Sequence, residues 1–269
     1  MDWLWGDRFA EPIYVLTADQ DWAPEWATER LLAFAGERGL PLHVFATNSS
    51  PALERAVAAG TGVTRGIHPN FLPGSTHGES AEEVIATCRE IAPEARTFRT
   101  HAYAEDSYSL DVLRRAGFET DSNLCLFLQP AIVPLLHATG ILRLPVFLDD
   151  DSLLLWDTDE GGLDLEPMAK AIASPGLKIL NFHPLLFAIN CPAPSYYRAR
   201  RDALYEPGTE PAERFEGRGT ADVLEDLIAR IEARGAHLAS FPDLAENAWR
   251  TLRERADPAL YAWGRPDRG

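Results

Sequence analysis

The stretch PIYVLTADQDW, residues 12–22, decides the fold. Pro12 to Thr17 form a short run too brief for a helix and rich in strand-forming side chains, which reads as a buried strand. Two carboxylates follow at once, Asp19 and Asp21, with Gln20 between them. Ala23 to Arg38 then reads as a helix, because Trp26, Leu31, Leu32, Phe34 and Ala35 recur at helical spacing and Gly39 ends it.

The same unit repeats along the chain. Leu42–Thr47, Val63–His68, Ala95–Thr100, Phe118–Asn123, Leu142–Phe147, Leu177–Phe182 and His237–Phe241 read as further strands. Pro51–Ala59, Ser80–Ile91, Ser107–Ala116, Thr220–Arg234 and Pro242–Arg255 read as helices, with Ser80 to Glu83 resembling a capping box. Strands alternating with helices imply an α/β fold with parallel strands and right-handed crossovers. No GxGxxG follows the first strand, so a closed or nearly closed β/α barrel fits better than an open nucleotide-binding sheet. Leu124–Gly140 and Asn190–Arg218 break the rhythm and are expected to loop over one mouth of the barrel. One domain is expected over residues 1–256, with a C-terminal tail over 257–269.

Composition narrows the function. The chain has 269 residues, enough for one barrel of about 250 residues. Its net charge is −16, which disfavours nucleic acid and anionic membrane surfaces as partners. Cys88, Cys125 and Cys191 are odd in number and far apart, so neither a disulfide framework nor a cysteine metal site is expected. There is no signal-like start and no apolar run long enough to span a membrane, and a cytoplasmic location is the expectation.

In a β/α barrel the reactive groups sit at the carboxyl ends of the strands. Here those ends carry Asp19 and Asp21, His68 and Asn70 with His77 at the end of the next loop, Arg99 and His101, and Asn181 with His183. Each alone has a plain structural use, as a helix cap, a turn former or a salt-bridge partner. Four of the seven histidines fall at the same end, however, whereas structural uses would scatter them. Asp and His together suit a divalent metal such as Zn2+, bound by three protein ligands with one position open for water. One carboxylate of the Asp19–Asp21 pair could bind the metal while the other takes a proton from water, and His183 could protonate a leaving group.

These residues resemble the polysaccharide deacetylase superfamily, the NodB homology domain, from about Tyr14 to Phe241, and within it a divergent WbmS-like branch. The resemblance implies a single distorted (β/α)7 barrel that hydrolyses the N-acyl groups of sugars with a bound divalent metal. Leu16 to Trp22 is similar to the family's Asp-Asp motif, which makes Asp19 the general base and Asp21 a metal ligand. Gly66-Ile67-His68 resembles the His-rich motif, making His68 a ligand. Phe98 to His101 resembles the motif whose Arg99 orients the catalytic Asp. Ile179 to His183 resembles the last motif, with His183 as general acid. The nearest counterpart of the family's Asp-near-Trp motif is Asp150 or Asp151 with Trp156.

The chain departs from the pattern. Gln20 separates the two aspartates. Where the family places a second histidine, this sequence has Leu72, so His77 is the substitute expected as third ligand. His101 replaces a residue that is usually Pro, and is expected as a ligand or a substrate contact. Asn70, Trp22, Tyr103 and His101 are the expected substrate-binding residues. The implied activity is removal of an acetyl-like group from a sugar, in surface-polysaccharide or O-antigen synthesis, with a nucleotide- or lipid-linked sugar as the substrate form. The rival expectations are a non-catalytic carbohydrate-binding barrel and a hydrolase of a small non-sugar amide.

Overall fold

The computed structural model describes residues 2–156, 163–206 and 214–256. Strands β1 (Pro12–Asp19), β2 (Leu42–Ala46), β3 (Val63–Ile67), β4 (Thr97–Phe98), β5 (Thr120–Asp121), β6 (Leu135–Leu136), β7 (Leu142–Arg143), β8 (Val146–Asp149) and β9 (Gly176–Phe182) share one sheet. Their order is β6-β7-β5-β4-β3-β2-β1-β9-β8. Every neighbouring pair is parallel except β6 with β7.

β7 and β8 are two halves of one stretch. Leu142 and Arg143 pair with β5, and from Val146 the chain pairs with β9. The join is continuous, with Leu144 N–H donating to Asp121 and Val146 N–H to Leu124. The stretch 142–149 therefore links the two edges of the sheet. Counted once, it makes seven parallel staves of a distorted β/α barrel.

The sequence dictates this locally. β9 is buried along its whole length and β1 from Tyr14 onward, as strands covered on both faces must be. The helix Glu25–Glu37 buries Ala27, Leu31, Phe34 and Ala35, and Thr220–Ala233 buries Val223, Leu224, Leu227, Ile228 and Ile231. Each fully buried Leu or Ile contributes about 1.5–3 kcal/mol. Ser80 closes a capping box with Glu83, and Ser50 accepts from Leu53 N–H to open the helix Pro51–Ala59.

Three expectations change. The sixth strand, expected over Leu142–Phe147, is divided between β5 and β9 and runs on to Asp149. The last strand, expected over His237–Phe241, is a single bridge from Leu238 to Tyr14. Ser240 takes the N-cap of the helix Phe241–Arg255 by accepting from Asp243 N–H, and the helix starts too soon for a strand to extend. Leu124–Gly140 does not cover the mouth. It leaves β5 at the carboxyl end and hydrogen-bonds in turn to Val146, Phe147, Pro175 and Leu177, descending to the amino end of β9. There it crosses so close to Gly176 (φ +99°) that a Cβ would lie 2.5 Å from the Ile132 carbonyl oxygen. Of the stretch Asn190–Arg218, Tyr197, Arg201 and Tyr205 reach the mouth, where they line the cavity described below, and residues 207–213 lie outside the described residues. The tail expected over 257–269 lies outside the described residues.

Candidate active site

β1 delivers Asp19 as its last residue, and the chain then turns sharply. Asp21 and Trp22 both take left-handed backbone (φ 48° and 53°), at a cost of roughly 1–2 kcal/mol each. Hydrogen bonds to the end of β2 hold the turn. Trp22 N–H donates to Thr47 Oγ1 (2.8 Å), and the buried Gln20 Oε1 accepts from Thr47 and Asn48 N–H (3.1 and 3.2 Å). Across the mouth Ala102 and Tyr103 form a second left-handed pair (φ 55° and 54°) just after His101. His68, Arg99 and His183 follow β3, β4 and β9 directly.

Three imidazoles converge on one carboxylate. Asp21 Oδ1 lies 3.0 Å from His68 Nε2 and 2.8 Å from His101 Nδ1, and Asp21 Oδ2 lies 3.5 Å from His183 Nε2. Burial alone would raise the Asp21 pKa. Hydrogen bonds from His101 and His68, with the charges of His68 and His183, outweigh it and hold the carboxyl well below its usual range. The hydrogen bond to Asp21 in turn raises His101, against burial.

Asp19 sits behind this group, almost fully buried. Arg99 Nη1 donates to its Oδ1 (2.8 Å) and Asn181 Nδ2 to its Oδ2 (2.9 Å), so both oxygens are fixed. Arg99 is itself wholly buried, donating to the Ser122 carbonyl (2.9 Å) and hydroxyl (2.7 Å) and lying over the Phe45 ring. His68 Nδ1 has no hydrogen-bond partner, and Asp19 Oδ1 stands 3.8 Å from it.

His183 is held by Asp150. Its Nδ1 lies 2.6 Å from Asp150 Oδ1, and its backbone N–H donates to Asp150 Oδ2 (2.9 Å), which leaves Nε2 turned to the cavity. Burial would lower the His183 pKa, but Asp151, Asp150 and Asp21 raise it well above the usual value. Asp150 is the first residue after β8, so the stretch that closes the barrel also positions this imidazole.

His77 is placed differently from the expectation that it ligates metal. Its Nε2 reaches the Thr47 carbonyl (2.7 Å), which requires that nitrogen to donate, and its Nδ1 accepts from Asn70 N–H (3.2 Å). Both ring nitrogens are occupied, and burial lowers its pKa. His101 instead offers a ring nitrogen within 4.8 Å of the carboxylate of Asp21 and the imidazole of His68, a group that could hold a metal ion. Asn70 spends its side chain on Leu72 N–H in its own loop. Tyr103 donates to Asp149 Oδ2 (2.5 Å), so it braces β8, and burial raises its pKa well above the usual value. Trp22 remains in the cavity wall, edge-on to His101.

The cavity, about 190 Å³, is lined by Asp21, Trp22, His101, Asp151 and His183 and roofed by residues of the second irregular stretch. Three partners fall outside the expected site residues. Asn181 and Asp149 precede the reactive positions by one or two residues, and Asp150 stood open against Asp151. The run Asp149-Asp150-Asp151 at a strand end was the available signal.

The model of the WbmS-like polysaccharide deacetylases matches residues 16–201, a span that includes every residue of this cluster. The chain belongs to the WbmS-like polysaccharide deacetylase family. As a deacetylase of this family it is a hydrolase acting on carbon–nitrogen bonds in sugars, and its barrel is of the NodB type. A Bordetella bronchiseptica protein described as a polysaccharide deacetylase involved in O-antigen biosynthesis is similar in structure. It is 26% identical with a TM-score of 0.71, over 83% of this chain and 92% of that one. A family 4 acetyl xylan esterase from Clostridium thermocellum, solved with a cobalt ion, is 15% identical with a TM-score of 0.44, over 94% and 96%. A polysaccharide deacetylase from Mycobacterium smegmatis is 16% identical with a TM-score of 0.45, over 87% and 94%. No curated protein matches the chain significantly. Among the described residues no helix is long and apolar enough to cross a membrane.

Proposed function

We propose that the protein is a metal-dependent N-deacylase that removes an acetyl-like group from a sugar used in surface-polysaccharide or O-antigen synthesis. The observation that carries this reading is the convergence of His68, His101 and His183 on Asp21 at a cavity wall, with Asp19 fixed behind them. One carboxylate and two imidazoles within 4.8 Å are the donor set of a three-ligand catalytic metal, and Zn2+ fits it best. Asp19 beside the far nitrogen of His68 is the kind of carboxylate that steadies a metal-bound imidazole.

Asp21, His68 and His101 would hold the ion, which supplies Lewis acidity and a nucleophilic water at neutral pH. Asp19 takes the proton of the attacking water, and Arg99 and Asn181 set the plane in which it does so. His183 gives its Nε2 proton to the departing nitrogen, which cannot leave as an amide anion, and Asp150 keeps that imidazole charged and aimed. Trp22 walls the sugar against the reacting groups.

The test is amine release from N-acetylated sugars by metal-loaded and chelator-stripped protein, together with Asp19→Asn. Stripping should abolish release. Asp19→Asn should lower it by about 10²–10⁴-fold while metal content and fold stay unchanged. Equal release without metal, or indifference to Asp19→Asn with sugar still bound, would mean a different hydrolase or a binding barrel.

A further inference from the structure

The roof of the cavity carries a feature that the deacylase chemistry does not use. The short helices Pro194–Arg198 and Arg201–Leu204 bring Tyr197, Arg201 and Tyr205, spaced four residues apart, to the same cavity as Asp21, His101 and His183. The Tyr197 and Tyr205 hydroxyls are 3.5 Å apart, and the Tyr205 hydroxyl is 3.5 Å from the Asp21 carbonyl oxygen, so the two rings are seated against the site.

Arg201 lies in the same wall and is exposed. Among the described residues it has no carboxylate within ion-pair distance. Of the neighbouring arginines, Arg200 lies over the Tyr196 ring at 3.7 Å and Arg218 pairs with Asp226 at 2.7 Å, and the exposed Arg198 does not line the cavity. In a chain of net charge −16 a guanidinium could readily be neutralised by a neighbour. Arg201 lines the reactive cavity, and among the described residues no carboxylate meets its fork.

We infer that Arg201 reads an oxyanion on the substrate, so the sugar that loses its acyl group is an acidic one; this rests on the deacylase reading above. The planar guanidinium matches a carboxylate or a phosphate with two parallel hydrogen bonds, and the two tyrosine hydroxyls offer donors and acceptors to flanking sugar hydroxyls. The cavity volume places the anion. At about 190 Å³ it is smaller than the roughly 300–1,000 Å³ of pockets that enclose drug-sized ligands, and it suits one sugar unit. The charge therefore belongs to the reacting unit itself, either as a ring carboxylate or as a phosphate on its anomeric oxygen. Both present the same oxygen pair to Arg201.

Calorimetric binding to the full chain tests this with three probes: N-acetylglucosamine, N-acetylglucosaminuronate and N-acetylglucosamine 1-phosphate. At least one acidic sugar should bind tenfold or more tightly than the neutral one, and which one it is identifies the source of the charge. Arg201→Ala should erase that preference. Arg201→Lys, which keeps the charge and loses the fork, should restore part of it. Equal affinities for all three sugars, no binding of any, or a preference that survives Arg201→Ala would overturn the inference. Amine release from the same sugars is scored separately. Release without acidic preference defeats the inference alone, whereas preference without release defeats the deacylase reading and leaves Arg201 as a binding determinant.

Discussion

Asp21, His68 and His101 bring one carboxylate and two imidazoles within 4.8 Å of one another, and Asp149, Asp150 and His183 bring two carboxylates and one imidazole within the same limit. By residue type and distance either trio could hold a cation. Their hydrogen bonds separate them. In the second, fully buried trio, Asp150 is spent on the side chain and backbone of His183, and Asp149 on the Tyr103 hydroxyl and Asp151 N–H. That trio satisfies itself and leaves one nitrogen, His183 Nε2, pointing outward. In the first, among the described residues, the Asp21 carboxylate meets only imidazoles, and it opens to the cavity. Saturation of the side chains by hydrogen bonds separates the two trios here, and residue type does not.

The sharpest way to break this contrast is to delete ligands. Asp21→Ala or His68→Ala should remove bound metal altogether and cut turnover by about 10³-fold or more, the scale of losing charge stabilisation in the transition state. Metal analysis beside amine release checks it; either variant retaining a full complement of metal would merge the two trios. Next in size, His183→Ala should retain the metal and lose about 10²–10⁴-fold in kcat, measured on the same preparations.

Asp150→Asn probes how the second trio works. In the proposed mechanism His183 acts protonated, and removing the anion at its Nδ1 lowers its pKa, so its protonated fraction falls away at lower pH. The alkaline limb of the kcat–pH profile should move acidward by about 1–3 units, with metal content unchanged. An unmoved limb would show that Asp150 does not tune the imidazole. The smallest effect is expected from His77→Ala. Metal content should be normal and stability lower by about 1–2 kcal/mol in urea denaturation, for the lost bonds to Thr47 and Asn70. Loss of metal in that variant would return His77 to the ligand set.

Much of this was legible from spacing alone. The strand ends named Asp19, Asp21, His68, Arg99, His101 and His183, and in the fold all six gather at one rim, with Asp21 and His68 separated by 3.0 Å. The helix Pro51–Ala59 has the expected bounds, because Ser50 and Gly60 mark its ends by local chemistry. Which of His77 and His101 stands beside Asp21 and His68 was not legible. It depends on how the loop from Pro69 to Gly78 folds back so that the His77 ring reaches the Thr47 carbonyl, a contact across thirty residues of sequence. The descent of residues 124–140 depends likewise on where β9 leaves carbonyl and amide groups free, which no local pattern encodes.

The shared stave at residues 142–149 also bears on how the chain is assembled. β1 pairs on one side with β2, Leu16 beside Leu42, and on the other with β9, Pro12 beside Gly176, more than 160 residues away. Until residues 176–182 have left the ribosome, β1 presents an open, apolar edge of the kind that recruits foreign strands. That ring closure must also bear the entropy of the longest loop between paired strands of the sheet, from Pro12 to Gly176. The carboxylate that becomes the proposed base, Asp19, stands at the end of that waiting edge, and its Asn181 contact forms only when the circle is complete.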